Sequence, residues 1–163
     1  MSKLHPTQRR KDSIMTTAEQ QFLNESQREG EVYAGVKSMK TAKQAFLSSI
    51  LKKGELYAGI ILCKNGEPDH HLILLPGEAE SVNWEDAKKF AVKAGGELPT
   101  LREQSLLYAN LKEEFQEHYY WSCELHASYS DYAWYQNFDD GDQFGNHKST
   151  TLRARAVRRL VIL

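Results

Sequence analysis

Two cysteines, six histidines and a run of aspartates are the residues whose types could do chemistry in this chain. His70 and His71 are adjacent, with His118 and His126 further on. A zinc site needs roughly three or four ligands converging on one point. Neighbours on a strand face opposite ways, so His70 and His71 cannot both serve one ion. Asp139, Asp140 and Asp142 supply turn carboxylates. Calcium wants about six to eight oxygens, and an EF-hand loop also needs a glutamate at a position where this spacing has none. The three aspartates therefore read as a solvated turn. Cys63 sits on an apolar run and reads as a small core residue. No nucleophile motif, phosphate loop or convincing acid–base pair stands out. The sequence thus predicts a protein that is not an enzyme, with no metal and no cofactor.

Two other groups of residues could bind rather than react. Arg153, Arg155, Arg158 and Arg159 crowd the C-terminal end. They could grip phosphates, but arginines at such density more often pair with carboxylates or stack on rings. Arg153, Arg155 and Arg158 are read here as structural. The stretch from Glu124 to Lys148 mixes aromatic and small polar residues, the chemistry of adaptable recognition surfaces. Its candidate partner-binding residues are Glu124, His126, Tyr129, Tyr132, Tyr135, Asn137, Asp140, Gln143, Phe144 and His147. The bland alternative is that aromatics here fill a small core, and Trp121, Trp134 and Phe138 are read that way. Strand alternation puts Trp134, Gln136 and Phe138 on the face opposite Tyr135 and Asn137.

The elements that must position these residues follow from pattern. The chain has 163 residues, 40% hydrophobic and 26% charged, with net charge −1 and pI about 6.6. That is globular composition with no global positive field for nucleic acid. No apolar leader opens it, and the run Ala58–Cys63 is too short to span a bilayer. The expectation is a cytoplasmic protein, off the membrane, with reduced thiols. Residues 1–53 read as a polar extension. In it, Arg9-Arg10-Lys11-Asp12 and Pro6 suggest a loose tail. One short helix is expected from Thr16 or Met15 to Arg28, around Phe22 and Leu23, and another over Thr41–Leu51. Gly30–Val36 resembles Gly54–Ile60, which reads as two similar strand starts or as a partial duplication.

Residues 54–163 read as one domain. Tyr57–Cys63 and His71–Leu75 look like strands joined by a tight turn at Lys64-Asn65-Gly66. Asn83 can cap a helix carrying Trp84, Ala87, Phe90, Ala91 and Ala94, stopped by Gly95-Gly96. Thr100 and Glu103 have capping-box spacing before a second helix, which should run to about Phe115 and bury Leu106, Leu107, Ala109 and Leu111 or their neighbours. Tyr119–Cys123, Ala133–Phe138 and Leu152–Leu160 read as strands. The order gives an α+β fold, two helices beside short antiparallel strands.

Several of these motifs together resemble a known family. Trp84-Glu85-Asp86-Ala87, then Gly96-Glu97-Leu98-Pro99-Thr100, then Tyr120-Trp121-Ser122, Tyr132–Phe138, Gly141 and Arg153–Arg158 occur in order. They resemble a prophage and bacterial domain family that includes the C-terminal domain of the Legionella collagen-like adhesin. The pattern is also similar to the variable proteins of diversity-generating retroelements. The resemblance covers roughly residues 55–160 and implies a C-type-lectin-like fold with a loop-rich binding face, with Trp134 and Phe138 inward and Tyr135 and Asn137 outward. The calcium motifs of true C-type lectins are absent. So is the reactive cysteine pair of the formylglycine-generating enzymes, which share the broad fold. What the resemblance implies is a phage or prophage accessory protein. It would bind a host or phage protein through residues 124–148, for instance to inhibit a host defence or nucleic-acid-processing complex. The rival expectations are a module for glycans or sulfated polymers and, further off, a formylglycine-generating-type enzyme. The oligomeric state is left open.

Overall fold

The computed structural model describes residues 17–64 and 66–162. The expected tail at Arg9–Asp12 with Pro6, the start at Met15 and the turn residue Asn65 lie outside the described residues, as do the side chains of Phe22 and Leu23. The chain parts into two compact units between Phe46 and Leu47.

The N-terminal segment corrects the sequence reading. One helix, α1 (Thr17–Ile50), runs through the two expected short helices and the stretch between them. Gly30-Glu31-Val32-Tyr33-Ala34-Gly35-Val36 is helical, not a strand start, so its likeness to Gly54–Ile60 is not one of structure. The reason is local. Glutamate, lysine, glutamine and alanine dominate on both sides, and a propagating helix absorbs two glycines at about 1 kcal/mol each. The copy at residue 54 instead follows a turn in which Gly54 adopts a φ of +82°, a conformation that glycine reaches without steric cost.

The second unit is α+β. β1 (Leu56–Ile61), β2 (His70–Leu74) and β8 (Val157–Val161) make one antiparallel sheet in the order β1-β2-β8. β3 (Ala79–Val82), β7 (Leu152–Ala154), β4 (Tyr119–Leu125), β5 (Tyr132–Asn137) and β6 (Gln143–His147) make the other. That sheet is mixed, because β4 and β7 pair in parallel. α2 (Trp84–Lys93) lies on β3, β4 and β7, while α3 (Leu101–Leu111) lies on β1, β4 and β5. Both helix starts are as the sequence predicts. Asn83 Oδ1 accepts the Asp86 N–H at 3.0 Å, and Thr100 with Glu103 closes a reciprocal capping box.

Three strand expectations change. The β1–β2 connection, residues 62–69, is longer than the expected hairpin, though it keeps a turn where expected, with Gly66 at a φ of +82° and the Glu67 N–H 3.5 Å from Lys64 O. Asp69 Oδ1 takes the Cys63 N–H at 2.7 Å, and Pro68 has no N–H to donate, so the ladder stops early. The expected strand Leu152–Leu160 is two strands in different sheets. The break at Arg155-Ala156 lets Ala154 pack in one core and Val157 in the other. β6 forms where the sequence suggested loop, pairing Gln143–His147 against Tyr132–Gln136.

The two cores share β4. Trp121, wholly buried, packs with Trp84, Ala87, Ala91 and Leu98. Both indoles keep a partner: Trp121 Nε1 donates to Val82 O and Trp84 Nε1 to Ser122 O. Tyr120, next along the strand, enters the other core with Phe115, Phe138, Leu72 and Leu107. Phe115 and Phe138 stack at 3.9 Å between centroids, and Tyr120 meets both edge-on. Each such ring contributes several kcal/mol, since truncating a buried Phe or Trp costs about 3–5 kcal/mol. α3 buries Glu103 and Gln104 beside Leu107, and Ala109 is exposed, contrary to the apolar stripe expected.

Candidate functional site

The arginine cluster is structural, as read. Arg153 pairs with Glu78, and Arg155 donates to the Glu114 and Leu75 carbonyls. Arg158 holds Glu55 through Nε at 2.8 Å and NH2 at 2.6 Å, and also reaches the Ile50 carbonyl. Each guanidinium has a partner, so the cluster offers no bare cationic strip to phosphates. Asp140 Oδ1 closes its own turn by accepting the Asp142 N–H, and Asn137 Oδ1 accepts the Asp139 N–H.

The ten candidate partner-binding residues separate into two kinds. Four polar ones hold the scaffold. Glu124 Oε1 accepts the Leu101 N–H at 2.8 Å, placing a carboxylate at the N-terminus of α3. Gln143 Nε2 reaches the Leu101 carbonyl and Gln136 Oε1. Asn137 and Asp140 shape the turn, as above. The aromatic ones form a chain of ring contacts. His126 stacks on Trp134 at 5.0 Å and 17°, and meets Tyr129 at 5.0 Å. Tyr129 contacts Tyr132 at 5.7 Å, which meets His147 edge-on at 5.7 Å. Tyr129 and Tyr132 are exposed, at 61% and 38%. The register explains the grouping: Tyr132 and Trp134 alternate on one face of β5, with His147 directly opposite Tyr132.

Tyr135 departs from its expected orientation. It is half-buried against the Trp121 core and contacts Tyr119 at 5.2 Å and Phe144 at 6.2 Å. Phe144 itself is 52% exposed. Trp134, expected inward, is partly open and lies under His126. Phe138 is inward as expected.

Sequence reasoning missed a second locus. An open cleft of about 790 Å³ is bordered by Cys63, His70, Arg102, Glu103, Cys123 and Arg159, among others. Glu103 lies at its floor, 1% exposed. Burial alone would raise its carboxyl, but hydrogen bonds from Arg159 and the Thr100 N–H, the Arg159 charge and His70 outweigh this and hold it below the usual carboxylate range. His70 Nε2 lies 3.0 Å from Glu103 Oε1. An ionised carboxylate can only accept, so Nε2 carries the proton. Nδ1 faces Cys63 Sγ at 3.5 Å. Cys63, His70 and Glu103 thus form a relay that can move the thiol proton onto the imidazole. His71 turns to the other face and meets Tyr57 Oη at 2.9 Å. Cys123 behaves differently: burial pushes its thiol up to about 11.

No signal in the sequence marked this relay. Its three members come from a loop, a strand and a capping box, far apart along the chain. Comparison with protein-family models gives no match, and comparison with curated proteins gives none.

Proposed function

We propose that this chain is a phage or prophage accessory protein whose second unit, with a C-type-lectin-like fold, binds a protein partner. The face used is the arc His126–Tyr129–Tyr132–His147. One observation carries the reading: a run of ring contacts from His126 through Tyr129 and Tyr132 to His147, in which Tyr129, Tyr132 and His147 stand exposed. Rigid aromatic anchors lose little conformational entropy on binding and dominate interface energetics. Phosphates are a poor alternative occupant, because Arg153, Arg155 and Arg158 are paired internally. The test is capture of a single stoichiometric protein from host lysate, with and without phage infection. It is followed by titration of that purified protein against wild type and a Tyr129/Tyr132/His147→Ala variant. The variant should bind at least about 30-fold more weakly. Equal affinity would remove this face from the reading. Glycans or sulfated polymers binding where no protein does would replace the partner class.

The Cys63–His70–Glu103 relay favours a second reading, a thiol chemistry in the cleft. Iodoacetamide forms an S–C bond at the thiolate, releases iodide and leaves the thiol proton on His70. At pH 8 Cys123, near 11, is ionised to only about one part in a thousand. Cys63 should therefore alkylate first, and His70→Ala should slow it by about tenfold. Cys63 reacting no faster than Cys123 would end this reading.

A further inference from the structure

We infer that α1 is an antiparallel dimerisation helix whose partner is α1 of a second copy of this chain. Along it, Glu25, Glu29, Val32, Val36, Met39 and Lys43 follow a 4-3-4-3-4 spacing. That is the a/d repeat of a coiled-coil seam, which keeps one stripe facing a partner helix. All six are exposed, Val32 at 67% and Met39 at 74%. Large apolar side chains in a line on an exposed helix mark a surface that a partner covers. Gly30 and Gly35 have no neighbour within 4 Å of an added Cβ. Packing within the chain therefore gives them no reason to be there. Each weakens a lone helix by about the amount a glycine always does, so the helix needs outside support.

The seam's charges decide what the occupant is and which way it runs. The acidic positions, Glu25 and Glu29, lie at one end and Lys43 at the other. A parallel, in-register copy would put Glu25 on Glu25, Glu29 on Glu29 and Lys43 on Lys43, like charges at every charged layer. An antiparallel copy crossing at the level of residue 34 reverses this. Glu25 then faces Lys43 of the other copy at both ends, Glu29 lies over Met39, and Val32 meets Val36 in two central layers. The stripe is its own complement when turned end for end, which is the condition for a two-fold isologous interface. Gly35 flanks the central layers, where the absence of a side chain lets the backbones approach.

The test uses the full chain in sedimentation equilibrium. Wild type should be a dimer of the 18.7 kDa chain. Lys43→Glu or Glu25→Lys alone should weaken dimerisation by about tenfold or more, and the Glu25→Lys/Lys43→Glu double variant should return to within about threefold of wild type. Helix content by circular dichroism separates unfolding from dissociation. Spin labels at Asn24→Cys, with both native cysteines changed to alanine, give the direction. At 1.5 Å rise per residue the labels should sit about 30 Å apart if the helices are antiparallel, and well under 20 Å if parallel. A monomer at about 100 μM, a parallel distance, or failure of the double variant to recover would each overturn the inference.

Discussion

Arg159 and Glu103 meet as two planar ions, Nε on Oε1 at 2.5 Å and NH2 on Oε2 at 2.7 Å, and the same carboxylate caps α3 and receives His70. One buried side chain therefore joins β2, β8 and the start of α3. Glu103→Gln keeps the shape but leaves Arg159 with Glu97 alone as its ionic partner. Breaking a buried pair costs about 3–5 kcal/mol, and with Arg159 a quarter exposed the lower end applies, about 3 kcal/mol. Urea unfolding monitored by tryptophan fluorescence should show this loss with an unchanged m-value.

Acid should destabilise the second unit through the same group. Glu103 is held below its usual range as described, and Glu55 is lowered first by its Arg158 hydrogen bond. A carboxyl depressed in the folded state stabilises above its unfolded value, near 4.5. That stability is lost as pH falls through the folded value. Tm should thus be nearly flat from pH 7 to 5 and drop steeply below about 4.5. In Glu103→Gln the drop should be shallower.

Gly96 should tolerate nothing larger. A Cβ there would lie 2.2 Å from the Val157 carbonyl oxygen and 2.7 Å from Leu75 Cδ1. That carbonyl accepts the Glu97 N–H at 2.9 Å, so the clash pries apart the bridge between the α2–α3 connection and β8. Gly96→Ala should cost about 3 kcal/mol. At Gly95, open around its Cβ but at φ +89°, alanine should cost only about 1–2 kcal/mol. Paired thermal melts of the two variants compare them.

Tyr135 and Tyr132 should part company in mutagenesis. Tyr135 packs on the Trp121 core, so Tyr135→Ala should lose about 2 kcal/mol or more of stability. Tyr132 and Phe144 stand exposed, and their alanine variants should stay within about 0.5 kcal/mol of wild type. Exposed positions such as these can report on binding without reporting on folding.

Local chemistry was legible in the sequence and distant chemistry was not. The Asn83 cap and the Thr100–Glu103 box are contacts across three residues, so spacing alone reveals them. Glu103 meets His70 across 33 residues and Arg159 across 56, and no periodicity encodes that. The capping-box reading was sound but named half of what the carboxylate does. Gly30 and Gly35 misled because glycine usually punctuates, whereas here a long helix runs through both. Leu152–Leu160 misled because β-rich composition continues across a change of sheet. Of the polar residues expected at a partner-binding face, Glu124 and Gln143 turn back to serve α3.

The pairing of β2 with β8 has a consequence in time. Leu72, Ile73 and Leu74 are wholly buried in the finished unit, yet their neighbours in the ladder are Arg159, Arg158 and Val157. A ribosome, adding roughly 5–20 residues each second, delivers those neighbours only after all the intervening elements. Until then the β1–β2 ribbon carries a bare apolar edge, the kind of segment that seeks any passing strand. The second unit must therefore either be shielded during synthesis or close in one late, concerted step.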